Sequence, residues 1–452
     1  MLNYIWLGLV LGAVLIGGWN GQLKEVADKS FEMATMAVVT ISFALIGVMA
    51  LWLGIMRLAE RAGLVALLAR ALRPLMRRIF PDVPPEHPAM GSMLMNIAAN
   101  MLGLGNAATP LGLRAMKDLE TLNRNPGTAT NAMCTFLAIN TSGIQLIPVT
   151  AIAILAANKS TDPTAIVGTS IICTVCACTC GVLMAKVLSR LPVFREKSEI
   201  GNRKSEINQS LLTSAATSEK EKPAVKEAAT LKPLTWWGSV IITAFLVFFA
   251  LLFCRMISPE TFGLPVPADE VKQNLFVRLV SAVSKLSIPF LLSAFPLYAA
   301  LRRVKVYEEF VEGAKEGFDV AIRIIPYLVA MLVAVGMFRA AGGIDLMSRC
   351  LAPVMSVLGF PTDLLPMVLV RPLSGSGSLG FFTELVKQFG PDSLIARMAG
   401  TIYGSTETTF YVLAVYFGSV AVKRTRHAVL AGLTADLVSV IVAVIVCRAM
   451  FG

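Results

Sequence analysis

Apolar residues along this chain collect in runs of about twenty, separated by short clusters of Lys, Arg, Gly and Pro. A bilayer core takes about 20 residues of helix. The runs therefore predict spanning helices at about 4–19, 34–56, 130–157, 165–190, 234–255, 276–301, 320–338, 396–421 and 428–449. The first run has no Lys or Arg before it and no small-x-small cleavage site after it, so it reads as a retained span and not as a signal peptide. Gly8 and Gly12 give it a GxxxG contact face. Two further apolar segments, about 89–122 and 362–389, are interrupted by Gly, Ser, Thr, Asn and Pro. Each is predicted to be a re-entrant hairpin, because irregular backbone at membrane depth must be satisfied by protein or by a wet cavity.

One stretch, about 194–232, is rich in Lys, Glu, Ser and Ala and has no apolar period. It reads as a flexible linker between a membrane half at 1–193 and another at 233–452. Trp236 and Trp237 after it suit an interfacial aromatic belt. The halves repeat weakly. Ala62-Gly63 followed by Pro74 matches Ala341-Gly342 followed by Pro353 at the same separation, and Phe80-Pro81 then matches Phe360-Pro361. Residues 105–112 align with 373–380. Asn140-Thr141-Ser142 align with Tyr403-Gly404-Ser405, each read as lying inside a long apolar helix. The shared order is the informative part.

Composition agrees with a lipid solvent: 56% of residues are hydrophobic and 15% charged, well outside the soluble norm. The net charge of +11 does not indicate nucleic acid, because the basic residues sit at helix ends and in the linker. Six arginines against Glu60 in 57–78 put that side in the cytoplasm. The linker, Arg302, Arg303, Lys305, Lys423, Arg424 and Arg426 then fall on the same side. Residues 21–33, 158–164, 258–274 and 339–361 fall outside, with the N-terminus inside and the C-terminus outside. Three spans separate the linker from the second basic-flanked unit, an odd number that inverts the second repeat relative to the first.

The chemistry follows from the breaks and the few charges. Cys173, Cys176, Cys178 and Cys180 lie in an apolar span without a nearby His or carboxylate, and read as small core residues. His87 and His427 fall in loops. No metal or other cofactor is expected, and no nucleophile, base and orienting group assemble into an enzyme. Residues 375–380 literally fit GxGxxG but lie between membrane segments, not in a βαβ unit. Paired interrupted segments point to a solute site, predicted between Asn106, Thr109, Asn140, Thr141, Ser142 and Gln145 on one side and Ser374, Ser376, Ser378, Ser405, Thr406 and Glu407 on the other. Intramembrane acids are costly and often functional, so Glu407 and Asp436 are the coupling-ion candidates. Arg371 is expected to be a counter-ion for Glu384 or Glu407.

Residues 123–129 (NRNPGTA), 136–142 (FLAINTS), 310–318 (FVEGAKEGF), 324–331 (IIPYLVAM) and 371–378 (RPLSGSGS) resemble a fusion of the spore maturation A and B membrane proteins. These belong to the nucleoside-recognition, or Gate domain, family. The likeness covers nearly the whole chain apart from the linker, with Gate repeats at about 34–190 and 306–450. It implies an all-α polytopic membrane protein of two inverted Gate-type repeats with re-entrant or broken helices. The expectation is a secondary transporter or gated permease for a small polar solute, a nucleoside or related metabolite being one candidate. A non-transporting scaffold for envelope or spore maturation is the alternative. The expected partners are the small-molecule solute and membrane lipid of the bacterial inner membrane, not nucleic acid; a homo-oligomer is compatible with the sequence.

Overall fold

The computed structural model describes residues 2–103, 105–194, 234–258, 274–344, 346, 349 and 359–452. The linker after Phe194, most of the 258–274 loop and Pro353 lie outside the described residues. The chain is an all-α membrane protein. In order, α1 (Leu2–Trp19) precedes α2 (Leu23–Met36), which runs through a wider turn at Ala37–Ser42 into α3 (Phe43–Arg61). There follow α4 (Leu64–Ile79), α5 (Pro88–Met101), α6 (Gly105–Glu120), α7 (Asn131–Thr141), α8 (Val149–Ala157) and α9 (Ile166–Arg190). The second half holds α10 (Trp236–Ile257), α11 (Leu275–Leu301), α12 (Val306–Ala340), α13 (Leu365–Val370), α14 (Gly375–Phe389), α15 (Leu394–Ser405), α16 (Thr409–Gly418) and α17 (Ala428–Phe451). Among the described residues α9, α10, α11 and α17 are each long and apolar enough to cross a membrane.

Local chemistry fixes the ends. The Oγ atoms of Thr130, Thr235, Ser374 and Ser393 accept from the amides of Met133, Gly238, Gly377 and Ala396, satisfying first-turn donors that have no partner within the helix. Pro88 sits at the first turn of α5, where its missing N–H costs nothing.

Residues 130–157 and 396–421 are not continuous helices. The first is α7 and α8 separated by 142–148; the second is α15 and α16 separated by 406–408. The apolar runs are long enough to span, but Gly143, Pro148 and the hydroxyl-rich 405–409 interrupt the hydrogen-bond ladder within them. The expected span 320–338 is the C-terminal part of a 35-residue helix, α12, that begins at Val306.

The arms of the broken helices change sides. One core joins α3 to α7 with Leu413, Tyr416 and Phe417 of α16. The other joins α12 to α15 and α17 with Ala151, Ile154 and Leu155 of α8. At one end Ala129 N donates to Arg424 O (3.0 Å) and Lys423 N to Gly127 O (2.9 Å). At the other, Asp392 accepts from Ser160 Oγ (2.6 Å) and Thr161 N (3.0 Å). The loop before each broken helix thus meets the loop after the other, and α7–α8 runs antiparallel to α15–α16. The long helices α3 and α12 cross in close contact. A Cβ on Gly313 would lie 2.6 Å from Leu53 O, so only glycine permits the approach, and Arg57 pairs with Glu309 at 2.8 Å beside it.

Candidate functional site

The two breaks touch. After Thr141 the chain turns through Gly143, whose φ of +57° is accessible to glycine at little cost, and Pro148 has no N–H with which to continue the helix. In the other half Ser405 Oγ donates to Thr401 O (2.7 Å) and Thr406 Oγ1 to Ile402 O (2.7 Å), and Thr406 is extended. Side-chain hydroxyls that bond backward in this way compete with helix continuation. Glu407 N then donates to Thr141 O at 3.2 Å. Glu407 therefore lies in the break, not within an apolar helix.

Arg371, at the tip of the α13–α14 hairpin, closes the end of α15. Its Nε donates to Thr406 Oγ1 (3.0 Å), and its Nη2 donates to Tyr403 O (3.0 Å) and to Thr406 O. The guanidinium lies 4.3 Å from the centre of the Tyr403 ring. A cation here complements the carbonyl end of a helix. Arg371 is thus not the partner of Glu384, whose Oε1 pairs with Arg339 at 3.2 Å, and among the described residues it makes no ion pair with Glu407.

A cavity of about 140 Å³ opens between the breaks. Gln145, Pro148, Thr150 and Ala151 form one wall; Arg371, Gly375, Tyr403, Gly404, Glu407 and Thr408 form the other. Gln145 Nε2 donates to Glu407 Oε1 at 3.3 Å. Arg371 is 5% exposed, so the cavity places a desolvated cation and a carboxylate in one small space.

The remaining residues of the expected site have other partners. Thr141, Ser142 and Ser378 donate to the carbonyls of Ala138, Ile139 and Gly375. Ser374 caps α14 and lies 3.4 Å from Ser376 Oγ. Ser405 also meets Ser439 at 2.7 Å. Thr109 is half-buried on α6, and the Asn106 side chain lies outside the described residues. Asp436 accepts from Thr409 Oγ1 at 2.6 Å while its Oδ1 is buried without a partner among the described residues; it stands behind the second break, not on the cavity wall.

Asn140 belongs to a neutral cluster. Asn100 Nδ2 donates to its Oδ1 (2.9 Å), Tyr416 OH lies 3.4 Å from the same atom, and Asn96 Nδ2 reaches Ala108 O (2.8 Å). Asn96, Asn100 and Tyr416 were not among the expected site residues. Two asparagines one helical turn apart in an apolar run are the signal that identifies the first two; the approach of Tyr416 depends on the exchange of α16 into the first half.

Spore maturation protein B of Bacillus subtilis is 43% identical over 176 residues, 39% of this chain and 99% of that protein. Spore maturation protein A of the same organism is 48% identical over 174 residues, 38% of this chain and 88% of that protein. A family profile described as "Nucleoside recognition" matches residues 42–159 and 321–423. The chain belongs to the Gate family. Its likeness to both spore maturation proteins, each over about two-fifths of its length, is consistent with a fusion. The Gate segments run from α3 to the end of α8 and from within α12 to the end of α16, so both hairpins, both breaks and every cavity residue fall inside them. No solved structure matches the chain.

Proposed function

We propose that this Gate protein is a secondary transporter or gated permease that moves a small polar solute across the bacterial inner membrane by alternating access. The observation that carries the reading is the cavity at the meeting point of two helix breaks whose arms are exchanged between the halves. Non-helical backbone at membrane depth is tolerated where it lines such a cavity, and transporter sites are commonly built from paired discontinuous helices. The antiparallel run of α7–α8 and α15–α16 supports an inverted repeat, with N-terminus and linker cytoplasmic and C-terminus outside. Glu407 and Asp436 are the coupling-ion candidates, and the family description makes a nucleoside or related metabolite a candidate solute. On this reading the chain is not an enzyme. Counterflow in proteoliposomes tests it: accumulation of a labelled solute against a preloaded unlabelled pool supports transport, and no exchange of any nucleoside, amino acid or small organic acid rejects it.

The names of the two relatives favour a second reading, a non-transporting scaffold for spore or envelope maturation. A Glu407→Gln protein that supports maturation in cells as well as wild type, with no solute exchange in vesicles, would favour that alternative.

A further inference from the structure

The cavity carries two opposite charges that do not neutralise each other by contact. Arg371 uses Nε and Nη2 on Thr406 and Tyr403, and its Nη1 makes no hydrogen bond among the described residues. Among the described residues the Glu407 side chain accepts only from Gln145, through Oε1, and Oε2 has no partner. The space next to Nη1 is kept open by Gly375, where a Cβ would lie 3.6 Å from that nitrogen and 2.9 Å from Thr408 Oγ1. Gly375 is also the first residue of α14, a 15-residue helix whose first amides offer donors to an anion at that point.

We propose that this cavity takes a small zwitterion of the amino-acid class, its carboxylate held by Arg371 and its ammonium by Glu407. The assignment rests on the cavity being the solute site. A buried charge is costly unless it is paired and hydrogen-bonded, and charge-assisted hydrogen bonds are the strong ones. A zwitterion satisfies both protein charges and adds no net charge to the membrane interior. A monoanion leaves Glu407 unmatched, a monocation leaves Arg371 unmatched, and a neutral nucleoside meets both with neutral groups only. The size agrees, since about 140 Å³ is below the roughly 300–1,000 Å³ of sites for drug-sized ligands.

The test uses the full chain purified in detergent, with thermal shift as the readout, because a ligand that binds only the folded state raises Tm by mass action. The probes are glycine, L-alanine, L-serine, β-alanine and 4-aminobutyrate, which differ in charge spacing. Glycinamide and glycolate supply single charges, and uridine and adenosine represent nucleosides. At least one of the five zwitterions is expected to raise Tm at a concentration at least tenfold below that needed for glycinamide or glycolate. In Glu407→Gln that preference should fall by tenfold or more, with glycolate retained; in Glu384→Gln it should be unchanged. Arg371→Lys keeps a cation if Arg371→Gln does not fold. A shift by uridine or adenosine with none by the zwitterions overturns the assignment and leaves the transporter reading standing. No shift by any probe also overturns the assignment. A zwitterion that binds but is not exchanged in counterflow supports the assignment and overturns transport.

Discussion

The amide of Glu407 donates to the carbonyl oxygen of Thr141 at 3.2 Å, so the acid of the second half is anchored to the helix end of the first. Gln145, four residues beyond Thr141, holds its carboxylate. Arg371 holds the adjacent Thr406, so the second break is tied on one side to the α13–α14 hairpin and on the other to the first half. Both charged groups of the cavity are thereby placed at the junction of the two halves.

Glu407→Gln preserves shape and removes that charge. The variant should insert and fold with a Tm within a few degrees of wild type, since the side chain makes one 3.3 Å hydrogen bond, while transport is lost or no longer depends on proton or sodium gradients. Glu384→Gln is the comparison, because that acid pairs with Arg339 on α12 away from the cavity. Transport with unchanged pH and sodium dependence in Glu407→Gln would eliminate the coupling role. Loss of folded protein would instead indicate a structural one.

The inverted arrangement is accessible to cysteine labelling. On a background free of the eight native cysteines, Lys159→Cys and Lys423→Cys place thiols at exposed positions in the loops after α8 and α16. A membrane-impermeant reagent applied to intact cells should label Lys159→Cys, and should label Lys423→Cys only after permeabilisation. Equal labelling of both from outside contradicts inversion of the halves.

Most of the apolar helices, both hairpins and the family are legible in the sequence because they rest on local signals: run length, interrupted runs and short motifs. The breaks at 142–148 and 406–408 are harder to read, since Phe136 to Ala157 and Leu394 to Gly418 remain apolar enough to span and only Gly143, Pro148 and the hydroxyls at 405–409 mark the interruption. Gln145 and Glu407 stand out in the sequence as candidates, and the structure brings them to one cavity within 3.3 Å of each other. Arg371 reads as a counter-ion because charge is visible in sequence, whereas the unpaired carbonyls of Tyr403 and Thr406 that hold it appear only once α15 ends. The place of Tyr416 beside Asn140 is likewise a property of the arm exchange.

Gly143 is the point at which one break passes the other. A Cβ there would lie 3.1 Å from Thr406 N and C, and its φ is positive. Gly143→Ala should destabilise the protein by roughly 1–2 kcal/mol from the left-handed backbone alone, with more from the contact. Tm should fall by several degrees and counterflow should weaken. Gly91→Ala, where a Cβ meets no atom within 4 Å, should leave both nearly unchanged. If the two substitutions have equal effects, the close crossing at Gly143 is refuted.

His427, in the loop before α17, makes the fold sensitive to acid. Its side chain is fully buried, neither ring nitrogen has a hydrogen-bond partner among the described residues, and the ring lies edge-on to Phe194 at 6.0 Å. Burial first, and the adjacent Arg426 second, push its pKa down from 6.5 to about 4. The folded state therefore holds the neutral imidazole, while the unfolded chain takes up a proton near pH 6.5. The contribution is complete above that value and is lost as pH falls from about 6.5 towards 4, with a ceiling of about 3 kcal/mol. His427→Leu removes both the titration and two buried polar atoms without partners. Its Tm should be at least that of wild type at pH 8, and the advantage should widen at pH 6 and again at pH 5. A difference in Tm that stays constant from pH 8 to pH 5 would mean that His427 does not titrate across this window.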